Sequence, residues 1–268
     1  MARQWKKFAS HFSGSKAVRK RGDSYMQSKT DIGFGKKIRA AWLDSALEHA
    51  AAGRSFDQVK DALAKEIAAN NSGPEAIRKI QTALKRVWFV PPDYCLPLRN
   101  DALRLFHKNA SPATRFLLHW GMSIAAYPFI GSVAETLGRL LKLQKEARLA
   151  DIERRIREQH GDRDFVSRIT RYDVSSFLDW GAVTEAKKRG VYQLAKPTRP
   201  HSSEQVAWLA EAMLISRDKT QTQFSELGNH PALFPIALDT INASILQSNP
   251  RLKLVRQSLN QEYILLNQ

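Results

Sequence analysis

Two arginines and a triplet of cations are the residues here whose types and spacing could do chemistry, and that chemistry is the neutralisation and reading of a polyanion. Asp164, Ser167, Arg168, Arg171 and Ser175 fall at i, i+3, i+4, i+7 and i+11, one polar stripe along a helix expected over residues 165–180. Val166, Ile169, Val174, Phe177 and Leu178 take the other side, at less regular spacing. An arginine near the start of such a helix can donate two hydrogen bonds to a guanine edge in the major groove. Shortly after it, "AVTEAKKRGVYQLAK" reads as strand, turn and strand, with Lys187, Lys188 and Arg189 at the tip. Cations there would neutralise phosphates, which adds affinity without sequence information. A solvated face on a basic protein is the plainer explanation of the stripe, so the surrounding elements have to decide.

Those elements are helices expected over residues 128–144, 149–160 and 165–180, followed by the hairpin. This is the order of a winged helix-turn-helix, in which the third helix enters the major groove and the hairpin rests on the backbone. Gly161 closes the second helix and Gly181 the third, in the usual position just past a helix end. Upstream, apolar spacing predicts helices over 37–52, 56–70 (after Ser55 as N-cap), 74–88 and 99–109, then an apolar pair over 112–127 and 128–144. Downstream, helices are expected over 205–216 and 232–246, then strands over 251–258 and 261–267 meeting near Asn260. The expected fold class is mainly α: a helical bundle with winged helix-turn-helix character and short β-hairpins. Its expected parts are a basic flexible arm (1–36), an N-terminal helical, helix-turn-helix-like unit (37–98), a central winged helix-turn-helix (99–199) and a small C-terminal α/β unit (200–268).

Composition sets the class of partner. The 268 residues carry 42 Lys+Arg against 26 Asp+Glu, a net charge of +16, which suits a nucleic acid or another anionic surface. Eleven of the cations lie in residues 1–39, against Asp23 and Asp31 alone, so Lys20, Arg21, Lys36 and Lys37 are expected to reach phosphates from an arm. An Arg-rich, acid-poor start also suits a transit peptide, but no amphipathic helix or cleavage boundary follows. Residues 1–28 lack the apolar core of a signal peptide. Cys95 is the single cysteine, which leaves no internal disulfide and suits a cytoplasmic location. "FLLHWGMSIAAYPFIGSVA" is uncharged and long enough to span a bilayer, but Pro128 interrupts it, and two buried helices are expected instead, with no membrane contact.

Other candidates are weaker. "DIGFGKK", residues 31–37, lacks the spacing and the Ser/Thr of a phosphate-cradling P-loop. The seven histidines show no metal-ligand spacing, and His119 reads as a satisfied core histidine. Glu204 and Glu211 read as solvated, and Trp120, Tyr127 and Phe129 as core aromatics. No nucleophile elbow is present. Neither an enzyme, a metal nor a cofactor is expected.

"WFVPPDY", "RFLLHWGMSIAAYPFIGSVAETLGRLL", "VSSFLDWGAV" and "RLKLVRQSLNQEYILL", in that order, resemble the BrxA family, small proteins of the BREX bacteriophage-exclusion systems of bacteria. The resemblance runs from about Lys37 to the C-terminus and carries no catalytic signature. It implies an all-helical protein with winged-helix character that binds DNA in a multi-protein defence system, with other defence proteins as partners. The family's likeness to NusB, an RNA-binding antitermination factor, keeps RNA as the alternative ligand, for which Trp5, Phe8, Phe12 and Tyr25 are the aromatics placed to stack bases. A protein-interaction adaptor is the other alternative. A homo-oligomer is compatible with DNA binding, although no heptad marks one.

Overall fold

The structure, a computed structural model, describes residues 33–70, 72–217, 221–238, 243–246, 248–258 and 261–267. Helices α1 (Ala40–Ala51), α2 (Phe56–Ala68) and α3 (Pro74–Leu84) come first. Ser55 caps α2, its backbone N–H donating to the Gln58 Oε1 at 2.7 Å as half of a capping box. Pro74 opens α3 where its missing N–H costs nothing. The chain then makes one π-helical turn, Lys85–Phe89, before Pro91 and Pro92 forbid more helix.

Next come α4 (Leu96–Lys108), α5 (Pro112–Ala126) and α6 (Pro128–Gln144). Proline restricts the residue before it to extended backbone, and Tyr127 sits at φ −130°, ψ 88°. The axes of α5 and α6 consequently bend by 116° at that break, and among the described residues no single helix is long and apolar enough to cross a membrane.

Lys145 leaves α6 in the left-handed region (φ 62°) and feeds β1 (Glu146–Arg148). Then follow α7 (Leu149–His160), a three-residue turn through Gly161, α8 (Asp164–Asp179), β2 (Val183–Glu185) and β3 (Val191–Leu194). The strands form an antiparallel sheet in the order β1-β3-β2, with Ala147 opposite Tyr192 and Thr184 opposite Gln193. The expected hairpin is therefore two strands of a three-stranded sheet. The third, β1, is three residues long with only Ala147 buried, too short to leave an alternating pattern.

The C-terminal part has α9 (Ser203–Ser216), β4 (Gln221–Gln223), α10 (Phe224–Leu227), a 3₁₀ turn (Pro231–Leu233), α11 (Ala243–Leu246), β5 (Leu252–Ser258) and β6 (Gln261–Leu266), the sheet running β4-β6-β5. The helix expected over 232–246 is not continuous: its start lies in the 3₁₀ turn, residues 234–238 are non-helical, and α11 keeps only its last four residues. Pro235 lacks the N–H a helix interior needs, and around it the chain bridges to Thr198, whose N–H donates to the Pro235 carbonyl at 2.9 Å while the Ala237 N–H donates to the Thr198 carbonyl.

Trp120 of α5 lies at the centre of the core, its ring against Phe177 of α8 (4.8 Å between centroids) and Phe234 (5.3 Å), its Nε1–H donating to the Ala232 carbonyl. Tyr127 and Phe129 are buried with it, as expected. Residues Gly33–Gln268 make one compact unit.

Candidate nucleic-acid interface

Residues 33–39, most of them expected to belong to the arm, run as an extended strap along one flank of α8. Phe34 is fully buried, edge-on to Tyr127 and Trp180. Three polar side chains of α8 each accept one backbone N–H from this segment or the first residue of α1: Asp173 Oδ1 from Phe34 (3.1 Å), Ser176 Oγ from Ile38 (2.9 Å) and Asp179 Oδ1 from Ala40 (3.0 Å). Trp180 returns the favour, its Nε1–H donating to the Ile38 carbonyl. An extended segment beside a helix has no partner strand for its N–H groups, and these side chains supply the missing acceptors. Burial pushes the Asp173 carboxyl well above the usual carboxylate range, against the opposing pull of the Phe34 N–H. Gly33, at φ +132°, packs where a Cβ would meet Ile169 Cγ2 at 2.7 Å.

The strap fixes two of the expected phosphate contacts. Lys37 pairs with Asp179 at 2.8 Å, and Lys36 lies over the Tyr172 ring at 5.5 Å. Lys37 is thus already committed to a carboxylate, whereas Lys36 sits beside the outer face of α8. Lys20, Arg21 and the arm aromatics Trp5, Phe8, Phe12 and Tyr25 lie outside the described residues.

The expected stripe on α8 is outward-facing. Asp164, Arg168 and Arg171 are exposed and Ser167 and Ser175 half-exposed, while Val166, Val174 and Phe177 are buried and Ile169 and Leu178 are intermediate. The two arginines differ. Arg171 grips Glu153 of α7 through Nε (2.5 Å) and Nη2 (3.2 Å), and this carboxylate raises its pKa further. Arg168 has no ion pair among the described residues. Helix periodicity placed Glu153 out of view, because the pairing crosses from α7 to α8.

Lys187, Lys188 and Arg189 are all exposed on the β2–β3 loop. The loop is closed by the Gly190 N–H donating to Glu185 Oε1 (2.8 Å) and the Val191 N–H to the Lys188 carbonyl (3.1 Å), with Gly190 at φ +75°. Arg148, the last residue of β1, and Lys145, immediately before that strand, are exposed beside the same loop's sheet. Neither belonged to a recognisable pattern, since β1 itself was not legible.

The remaining chemistry-bearing groups are engaged in the interior. His119 is buried with Nε2 3.0 Å from Asp44 Oδ1, and burial pulls its pKa below the ordinary histidine value. Glu211 is not solvated as expected: only 2% exposed, it accepts from Asn249 Nδ2 (2.6 Å) and from Arg251 Nε (2.7 Å) and Nη2 (2.8 Å). Seven-residue spacing set Glu204 and Glu211 on one helix, but α9 is buried on most sides, and Arg251 from the distant C-terminal segment compensates the carboxylate. A small cleft beside this network is lined by Asp101, Arg104, Glu204, Trp208 and Arg251, its carboxylates paired with neighbouring cations. Among the described residues no group of three or more His, Cys, Asp or Glu side chains is placed to hold a metal ion.

No protein-family model, curated protein or solved structure matches this chain.

Proposed function

We propose that this is a non-catalytic, double-stranded DNA-binding protein of winged helix-turn-helix type, with α8 as the helix that enters the major groove and the β2–β3 loop as the wing. One observation carries the reading. The order α6–β1–α7–α8–β2–β3, closed by a β1-β3-β2 sheet, presents an outward arginine, Arg168, beside a loop tipped with three exposed cations. A three-residue turn between α7 and α8 and a hairpin directly after α8 are what that docking geometry needs. Arg168 is the base-edge candidate because its guanidinium has no ion pair among the described residues; Arg171, held by Glu153, is better suited to orient α8 or to reach a phosphate once released. The resemblance to the BrxA family extends the reading to a role in bacteriophage exclusion beside other defence proteins.

The test is gel-shift affinity for duplex DNA, single-stranded DNA and structured RNA at two salt concentrations. Arg168→Ala is expected to weaken duplex binding by about fivefold or more, since a good arginine–base contact is worth about 1–3 kcal/mol. Replacing Lys187, Lys188 and Arg189 with Ala should make the slope of log K against log salt shallower by about 2.7, at roughly 0.9 per phosphate. Duplex affinity untouched by both changes, or a preference for RNA, would sink the winged-helix reading.

A further inference from the structure

The strap lies between α8 and α3 and joins their surfaces. On one side Lys36 covers the Tyr172 ring, one turn along α8 from Arg168. On the other, Gly35 lies against the stem of Lys79 of α3, close enough that a Cβ would sit 3.5 Å from Lys79 Cδ. The neighbouring Arg78 is exposed and has no ion pair among the described residues. Among the described residues one carboxylate serves this cluster: Glu75, exposed, pairs with Lys79 at 2.6 Å. Its pKa is lowered by Lys79 first, then by the charges of Lys36 and Arg78. Three cations around one carboxylate leave a surplus of positive charge on the flank of the helix proposed to enter the groove. An exposed ion pair such as Glu75–Lys79 holds its lysine weakly, so a phosphate can compete for it.

We propose that the DNA-binding surface continues from α8 across the strap onto α3, with Lys36, Arg78 and Lys79 forming a second set of backbone contacts beside the groove-bound helix. The proposal rests on the reading of α8 given above. It makes the N-terminal helices part of the nucleic-acid interface, and makes the strap the element that fixes the two cationic surfaces in register. The contacts are to phosphate and read charge, not base sequence.

The experiment is a salt titration of duplex binding by the full chain, comparing wild type, Arg78→Ala/Lys79→Ala, Lys36→Ala and Arg168→Ala. The double variant should make the slope of log K against log salt shallower by about 1.8 and Lys36→Ala by about 0.9, each across unrelated sequences alike. The charge-conserving Arg78→Lys/Lys79→Arg variant should restore the slope, which separates a phosphate contact from a folding defect. If the slope of the double variant matches wild type while Arg168→Ala still weakens binding, the second contact is wrong and the first reading stands. If no variant alters duplex binding, the reading of α8 fails and takes this one with it.

Discussion

At the scale of single residues, the interior holds a carboxyl group whose protonation should be visible in stability. Asp173 is fully buried, and its Oδ1 accepts the Phe34 N–H while Oδ2 has no partner among the described residues. A carboxyl raised above its unfolded value of 3.8 keeps its proton in the native state after the unfolded chain has lost it. The native state then binds more protons, so stability falls as pH rises from about 4 toward the native pKa. Asparagine keeps the acceptor for Phe34 and removes the titration. Asp173→Asn is therefore expected to lose less of its urea midpoint between pH 5 and pH 8 than wild type. His119 and His160, whose pKa values burial lowers, contribute the opposite trend, but equally in both proteins. Parallel pH profiles for the two would mean that Asp173 does not titrate in this window. Residue identity alone did not reveal Asp173 as special, since on a helical wheel it is one more acid at the edge of a polar face; only the strap makes it a buried acceptor.

At the scale of elements, helices were legible wherever local chemistry marked them. The bounds of α7 fall on residues 149–160 as expected, because Gly161 supplies a left-handed exit at φ +94° that other residues take only with strain. The α5–α6 break was legible for the same kind of reason, in Pro128. Elements that tertiary contact creates were not: β1 and β4 have three residues each, and the strap has no periodicity at all, only acceptors on α8 waiting for its N–H groups. The start of the expected helix over 232–246 failed by giving apolar content more weight than Pro235, while its end survives as α11. The 3₁₀ turn at Pro231–Leu233 packs under α6, where Gly138 permits a close approach: a Cβ there would lie 2.0 Å from the Pro231 carbonyl oxygen. Gly→Ala inside a helix ordinarily gains about 1 kcal/mol of helix propensity. Here the clash is with backbone that also carries the acceptor for Trp120 Nε1, the Ala232 carbonyl, so overpacking of about 1–3 kcal/mol should win. Gly138→Ala is expected to lower the melting temperature, and an unchanged or raised one would show that the 3₁₀ turn gives way freely.

At the scale of the whole molecule, the question is how a strongly basic N-terminus divides between binding and folding. Composition drew that line after residue 36, because charge and small residues continue to Lys37. Packing draws it at residue 33, since Phe34 is buried between Tyr127 and Trp180 and its N–H is held by Asp173. Two truncations placed four residues apart should therefore behave as different experiments. Removing residues 1–32 takes away eight Lys/Arg and leaves the strap, so the urea midpoint should stay at the wild-type value. Removing residues 1–36 also deletes Phe34 and Lys36, and loss of a buried phenylalanine costs about 3–5 kcal/mol. A binding loss in the longer deletion would then report damage to the support of α8, not an arm contact. In the shorter deletion the readout is clean: on the proposed reading the salt slope should become shallower in proportion to the arm cations that touch phosphate, while preference for duplex over single strand is retained by α8 and the β2–β3 loop. If that preference disappears with residues 1–32 while the urea midpoint holds, recognition resides in the arm, and α8 with its strap is a scaffold that anchors it at Phe34.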